Sequence, residues 1–198
     1  MPSRTPSLHV EDALVDAAER ILVSGGPEAL SVRRIAAEAG VAPMSVYNRF
    51  GGKNGIVEQL FIRGFDELRA AARAVGEADP RAALVACGEA YWAFAKSRPA
   101  TYAVMFDRAV PGFEPSADAW AHASEAFGEV VAHVRRAMAA GVVAPGDPVD
   151  VAQQLWAALH GLVSLELRSL GFVADVDAHR HRLFTTLLRG LAPATPCG

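Results

Sequence analysis

Four imidazole and carboxylate side chains in the second half of the chain could bind a metal ion. His122, Glu125, Glu129 and His133 are separated by 3, 4 and 4 residues, so an α-helix would bring all four to one face. Imidazole nitrogens and carboxylate oxygens are ligands of zinc and of other divalent transition metals. A helical metal-binding protein or an enzyme that uses this stripe is therefore one interpretation of the sequence.

The other face of the same stretch favours an ordinary amphipathic helix instead. Apolar residues recur there at helical spacing, at Phe127, Val131, Val134 and Met138, and the charged stripe is interpreted as the solvated side. The sequence has no glycine-rich phosphate loop and no nucleophile elbow. We expect no catalytic residue, no metal and no cofactor, and we keep the metal-binding interpretation as the alternative.

Cationic side chains are concentrated in one short segment of an acidic protein. The charged residues from Ser31 to Lys53 are Arg33, Arg34, Glu38, Arg49 and Lys53, a local charge of 4 − 1 = +3, whereas the whole chain carries −3. A basic segment on an acidic protein favours a local contact with a polyanion over indiscriminate coating of nucleic acid. The segment is a candidate for DNA binding.

Helical periodicity and cap residues predict the elements that position these side chains. Apolar residues from Leu14 to Leu22 recur at helical spacing, and Gly25 and Gly26 end that helix. Ser31 is a suitable cap for a short second helix that Gly40 ends. A third helix is predicted from Pro43 to Phe50, which gives a helix, a glycine turn and a helix, the order of a helix-turn-helix motif.

The remainder of the chain also follows helical spacing, and no strand pattern is seen. A long helix is predicted from Lys53 to Val75, and five further helices follow, bounded by Asp-Pro pairs, Ser116 and glycines. The sixth helix is predicted from Tyr102 to Asp107, and the eighth is predicted to end near Gly171. The fold class is therefore all-α with about nine helices. We expect a helix-turn-helix domain over residues 1–52 and a larger helical domain over residues 53–198.

The segment S-V-R-R-I-A-A-E-A-G-V-A-P-M-S-V-Y-N-R-F-G-G-K-N-G-I, residues 31–56, resembles the DNA-binding signature of the tetracycline-repressor family. The order of the predicted helices also resembles the architecture of that family. The resemblance implies a homodimeric repressor that releases operator DNA when a small-molecule effector binds to the C-terminal domain. Ala42 departs from the usual serine cap, and Arg49 stands where histidine is common.

The third helix supplies the predicted base contacts. An α-helix fits the major groove of B-DNA, and its N-terminal residues face the base edges. The amide of Asn48 could pair with adenine, and Met44 could contact a thymine methyl group. The resemblance places Tyr47 and Lys53 on phosphates, and Arg33 could reach a phosphate or a guanine. The candidate DNA-binding residues are Arg33, Pro43, Met44, Ser45, Tyr47, Asn48, Arg49 and Lys53.

Bulky aromatic residues between Tyr91 and His160 predict a ligand cavity. Pockets for small molecules are mostly apolar and contain a few polar groups that orient the ligand. The candidate ligand-binding residues are Trp92, Tyr102, Met105, Phe106, Trp120, His122, Phe127, Trp156 and His160. Residues 156–167 resemble a helix of the Trp-His-Gly branch of the family. A filled core is the alternative for each single aromatic residue.

An apolar arc near the C-terminus predicts the dimer interface. At 100° per residue the arc contains Leu155, Leu159, Leu162 and Leu170, and so wide an apolar helical face suits subunit packing. Glu166 falls within it, where a lone charge is costly, so we expect Arg180, Arg182 or Arg189 of either subunit as its partner.

The sequence also predicts where the protein acts. The richest apolar segment, residues 155–170, is interrupted by His160, Glu166 and Arg168, so no membrane span is expected. The first residues do not resemble a secretory signal. We expect a cytoplasmic protein whose partners are double-stranded operator DNA, a small-molecule effector and a second copy of itself.

Overall fold

The computed structural model describes residues 7–76 and 79–194, and the regular elements in these ranges are helices. The elements are α1 (Ser7–Gly25), a 3₁₀ turn (Pro27–Ala29), α2 (Val32–Glu38), α3 (Met44–Phe50), α4 (Lys53–Arg73), α5 (Pro80–Ser97), α6 (Pro99–Phe106), α7 (Ala117–Ala139), α8 (Pro148–Leu167) and α9 (Val176–Gly190). The predicted all-α class is confirmed. None of the helices described is long and apolar enough to cross a membrane.

Polar side chains cap several helices at the places where the sequence predicts a start. Ser31 accepts a hydrogen bond from the backbone N–H of Arg34 at 3.3 Å, ahead of α2. Ser116 accepts one from Ala119 at 3.2 Å, ahead of α7, and Asp147 accepts one from Val149 at 2.9 Å, ahead of α8. Each cap satisfies a backbone donor that has no partner within its helix.

Two helix boundaries differ from the prediction by three residues or more. α6 begins at Pro99 instead of Tyr102, because proline fits the first turn of a helix and does not only separate helices. α8 ends at Leu167 instead of near Gly171. Ser169 adopts the left-handed conformation with φ of 55°, and the Leu170 N–H then donates to the Leu165 carbonyl at 2.9 Å. This closing turn usually contains glycine, which is why Gly171 was the expected end.

The described chain divides into two compact units, and two helices contribute to both. Unit 1 contains residues up to Asp66 together with Arg98–Ala123, and unit 2 contains Glu67–Ser97 together with the residues from Ser124 onward. The first part of α4 and of α7 belongs to unit 1, and the remainder of each belongs to unit 2. The helix-turn-helix and α6 therefore belong to the same unit.

Unit 1 is held together by a buried apolar core and by charged contacts of α1. The core includes the fully buried side chains of Leu14, Ile21, Ile56, Leu60 and Tyr102. The Glu19 carboxylate, whose side chain is 14% exposed, accepts a hydrogen bond from Arg98 Nη1 at 2.7 Å and one from Thr101 Oγ1 at 2.7 Å. These two bonds connect α6 to α1.

Unit 2 has a separate core between α5, α7, α8 and α9. Its members are Leu84, Val131, Val134, Ala137, Val143, Val151, Ala152, Leu155 and Leu188. α9 also approaches α5 closely at Gly88: a Cβ atom at this position would lie 1.9 Å from Cζ of Phe184. Glycine at position 88 is what allows the Phe184 ring to lie against α5.

We expect Glu19→Ala to lower the free energy of unfolding by about 1–3 kcal/mol, because a partly buried hydroxyl and a guanidinium lose their acceptor. Urea denaturation followed by circular dichroism measures the loss. The matched control is Glu28→Ala, which removes an exposed carboxylate from the 3₁₀ turn. Equal losses in the two variants would show that the contacts between Glu19 and α6 do not stabilise unit 1.

Candidate nucleic-acid interface and apolar cavity

The orientation of α3 is fixed by its contact with α2. Ile35, Ala36 and Val46 are fully buried, and Gly40 links the two helices in the left-handed conformation with φ of 68°. The N–H of Val41 donates to the Ala36 carbonyl at 2.9 Å and closes the end of α2. Because Val46 faces the core, Met44 and Asn48, which lie two positions before and after it at 100° per residue, face outward on the other side of α3.

The outward face of α3 carries large side chains that the chain leaves exposed. Met44 is 63% exposed and Tyr47 is 53% exposed, and Asn48 is exposed one turn after Met44. The three residues share a face, since they lie three and four positions apart. The structure thus brings together the side chains for which the sequence predicted contacts with bases and phosphate.

The other predicted DNA-binding residues surround this face in different environments. Arg33 on α2 and Pro43 before α3 are exposed, and Ser45 and Lys53 are half-buried. Arg49 is exposed, and its Nε lies 3.8 Å from Glu11 Oε1 on α1. Such an exposed, long ion pair contributes little stability, so Arg49 stays available to an anion.

Gly55 is a residue of this region that sequence analysis missed. A Cβ atom at this position would lie 1.9 Å from the Phe50 carbonyl oxygen. The first turn of α4 can therefore approach the end of α3 only with glycine here. This contact places Lys53, the first residue of α4, next to the end of α3. A glycine within a predicted helix is the signal that could have indicated the close approach.

The charged stripe of α7 is paired with α4, so the prediction of a solvated stripe holds only in part: the Glu125 side chain is 55% exposed, whereas Glu129 is 22% exposed. His122 Nδ1 lies 2.7 Å from Asp66 Oδ1 in unit 1. In unit 2, Arg69 pairs with Glu125, and Arg69 and Arg73 both pair with Glu129. α4 presents complementary charges at the same helical spacing as the stripe, and periodicity within α7 alone could not show this.

His133, the last residue of the stripe, is buried. Its Nε2 lies 3.0 Å from the Ala72 carbonyl oxygen and its Nδ1 accepts a hydrogen bond from Arg136 at 2.7 Å. Both imidazole nitrogens thus have hydrogen-bond partners within the chain. Among residues 7–76 and 79–194, no group of three or more His, Cys, Asp and Glu side chains could hold a metal ion.

The nine predicted ligand-binding residues are divided between the two units. Unit 1 contains buried Tyr102 and Met105, half-buried Phe106, exposed Trp120 and ion-paired His122. The Tyr102 and Phe106 rings are 4.8 Å apart, and Trp120 lies edge-on to Phe61 at 5.6 Å. In this unit the aromatic side chains pack against each other as a core does.

Unit 2 contains Trp92, Phe127, Trp156 and His160, and three of these are neighbours. The Trp156 ring lies 6.2 Å from Phe127 and 5.9 Å from His160. Trp156 also lines a cavity of about 60 Å³ whose other walls include Cys87, Gly88, Tyr91 and Phe184. Of the nine predicted ligand-binding residues, Trp156 is the one in this lining. The sequence could also have indicated Tyr91 and Cys87, because they recur with Leu84 at helical spacing on α5.

The leucine arc of α8 is buried within unit 2. Leu155, Leu159 and Leu162 have little exposed surface, because they face α5 and the other helices of the same unit. Three members of the predicted interface thus belong to the core of their own subunit. Leu170 is exposed, as are Leu165, Phe172 and Val173, which the sequence analysis did not single out.

Among the described residues, Glu166 contacts Trp92 and Lys96 and none of the three arginines expected of its own chain. An arginine of the second subunit stays a prediction. The Glu166 side chain is 8% exposed, accepts a hydrogen bond from Trp92 Nε1 at 2.8 Å and lies 3.9 Å from Lys96 Nζ. Arg180 instead pairs with Glu89 and Asp177, and its guanidinium stacks 3.9 Å from the Trp92 ring centre. Trp92 thus contacts both the acid and the base.

Two known families match most of the chain. Residues 14–60 match the family described as bacterial regulatory proteins, tetR family, and residues 84–191 match the tetracycline-repressor-like C-terminal domain. The second match alone covers more than half of the chain. No curated protein matches the chain significantly.

Solved structures share the fold over almost the whole length. A protein with unknown function from Rhodococcus sp. RHA1 is 28% identical with a TM-score of 0.85, and the match covers 98% of this chain and 100% of the other. A TetR family transcription regulator from Marinobacter aquaeolei VT8 is 19% identical, with a TM-score of 0.74 and coverage of 97% and 100%.

The regulator PfmR from Thermus thermophilus, also of the TetR family, is 22% identical, with a TM-score of 0.71 and coverage of 91% and 99%. The likenesses below 25% identity show the shared fold, and the two family matches cover the helix-turn-helix and the C-terminal helices. The chain therefore belongs to the tetracycline-repressor family and is a DNA-binding transcriptional regulator of that family.

Proposed function

We propose that the chain is one subunit of a homodimeric repressor that leaves its operator when a small molecule binds to the C-terminal domain. Residues 1–52 read DNA, and residues 53–198 bind the effector and form the dimer. The observation that carries the proposal is the face of α3, where Met44, Tyr47 and Asn48 are exposed above a fully buried core. Large side chains held outward on a short, fixed helix suit insertion into a major groove.

The α3 helices of the two subunits would read successive major grooves of a near-palindromic operator. Asn48 would pair with adenine and Met44 would contact a thymine methyl group. Tyr47, Lys53, Arg33 and Arg49 would bind phosphates and fix the register of the protein on the duplex.

Exposed apolar residues support dimer formation through the end of α8 and the segment before α9. Leu165, Leu170, Phe172 and Val173 are large, exposed and close together in sequence. An exposed apolar cluster of this kind is typical of a protein contact. Of the residues predicted for the interface, Leu170 would contact the second subunit directly, and the buried leucines of α8 would support the helix from behind.

The continuity of α4 and α7 supports a route for the response. Each helix contributes residues to both units, so a displacement of its second part by a bound effector would reach the unit that carries α3. The distance between the two recognition helices of the dimer would then change and no longer match the operator. An unchanged distance in the presence of a bound effector would contradict this mechanism.

We expect Tyr47→Phe to weaken binding by roughly 3-fold to 10-fold on every DNA sequence, because one hydrogen bond to phosphate is lost. Asn48→Ala should reduce discrimination at one base pair by about 1–3 kcal/mol. Fluorescence anisotropy with DNA flanking the gene, at two salt concentrations, measures both effects. Glu114→Gln, at an exposed loop position of unit 1, is the control. Absence of binding to any duplex at low salt would count against a DNA reader in this segment.

We expect Phe172→Ser and Leu170→Ser to raise the dimer dissociation constant by about tenfold or more, because each removes a large apolar contact at the interface. Sedimentation velocity over a range of protein concentrations measures the change. Val149→Ser, at an exposed apolar position in the first turn of α8, is the control. If all three variants dimerise like the unchanged protein, the interface lies elsewhere.

A further inference from the structure

We propose that the effector is a small, uncharged and mainly apolar molecule with one hydrogen-bonding group, and that it binds in the cavity of unit 2 next to Tyr91. The proposal names the class of ligand for the response described above and rests on that function.

The cavity wall excludes a charged ligand. It consists of apolar residues of α5, α7, α8 and α9 together with Cys87, Tyr91 and Trp156, and none of its side chains is charged. A charged group transferred into such a site without a partner is strongly penalised. An acyl chain that ends in a carboxylate, a phosphate ester and a quaternary amine therefore all fit poorly.

The burial of Cys87 agrees with this environment. Burial raises the pKa of its thiol to about 11; Arg136 opposes the shift and Glu129 adds to it. The loss of hydration thus outweighs a nearby cation in disfavouring an anion at this wall. The carboxylate of a ligand would meet the same loss of hydration.

One end of the cavity carries hydrogen-bonding groups. Trp156 Nε1 donates to the Tyr91 hydroxyl oxygen at 3.2 Å, and this oxygen lies 3.1 Å from His160 Nδ1. His160 Nε2 lies 3.4 Å from Ser164 Oγ on the next turn of α8. A hydroxyl or carbonyl group of a ligand can exchange hydrogen bonds with the Tyr91 hydroxyl, which both donates and accepts, and can accept one from the Trp156 N–H.

The volume limits the size of the ligand. The cavity of about 60 Å³ is smaller than the engineered cavity of about 150 Å³ that binds benzene, and far below the roughly 300–1,000 Å³ of pockets for drug-sized ligands. A ligand with one ring therefore has to move a wall. Phe184 is one of these walls, and its ring already occupies the space that a side chain at position 88 would take.

Isothermal titration calorimetry with small aromatic probes tests the ligand class on the full-length protein. Phenol and benzyl alcohol are the neutral probes, benzoate and benzylammonium are charged probes of similar size, and toluene has no polar group. We expect the neutral probes to bind at least about tenfold more tightly than the charged ones, because only the charged ones leave an unpaired ion in the cavity. Equal binding of charged and neutral probes would overturn the proposal.

Three variants of α5 test the location. Cys87→Leu adds volume to the wall and should lower the affinity for phenol by roughly tenfold or more. Tyr91→Phe should lower the affinity for phenol by roughly 3-fold to 10-fold and leave the affinity for toluene unchanged. Val85→Leu enlarges a side chain of the same helix outside this cavity and is the matched control. If Tyr91→Phe lowers the affinities for toluene and phenol equally, or if Cys87→Leu binds phenol as tightly as the unchanged protein, the ligand does not bind in this cavity.

Anisotropy titration of the same protein preparation with DNA separates the two proposals. If the protein binds DNA but none of the neutral probes, the proposed ligand class is wrong and the proposed DNA-binding function stands. Probe binding that follows the pattern above, without DNA binding at low salt, supports the cavity and counts against the proposed DNA reader. A cooperative thermal unfolding transition of each variant shows that it is folded, so that a loss of affinity is not caused by misfolding.

Discussion

The buried contact of Ile35, Ala36 and Val46 determines which side of α3 faces DNA. These three side chains have no exposed surface, and the helix that carries Val46 is only seven residues long. A helix of that length has little stability on its own in water. Its position therefore depends on tertiary packing, and a rotation of α3 by one residue would bring Tyr47 or Ser45 to the buried position and expose Val46. Gly55 completes this arrangement by bringing α4 close to the end of α3.

Local signals explain why much of the fold could be predicted from the sequence. Ser31, Ser116 and Asp147 each bond a backbone N–H within the first turn of their own helix, so the evidence for a helix start lies within three residues. Ser169 shows the limit of that reasoning, because a serine can occupy the left-handed position for which glycine is the usual signal.

Contacts between distant parts of the chain explain why the candidate sites were harder to predict. Glu125 and Glu129 follow a clear period on α7, but their environment is set by arginines more than 50 positions earlier in the chain. The aromatic residues present the same difficulty. Trp156 and Tyr102 are both bulky, yet one lines a cavity and the other fills the core of a different unit. Only the packing of whole helices distinguishes these environments.

The paired charges of α4 and α7 restrict how the length of these helices can vary. Arg69 and Arg73 are four positions apart and meet Glu125 and Glu129, which are also four positions apart. One inserted residue between Asp66 and Arg69 would turn the later part of α4 by about 100° relative to the earlier part. Arg69 and Arg73 would then no longer reach Glu125 and Glu129, and the Ala72 carbonyl would no longer lie next to His133. Insertions and deletions during evolution should therefore accumulate in the connections between helices and be rare within this part of α4.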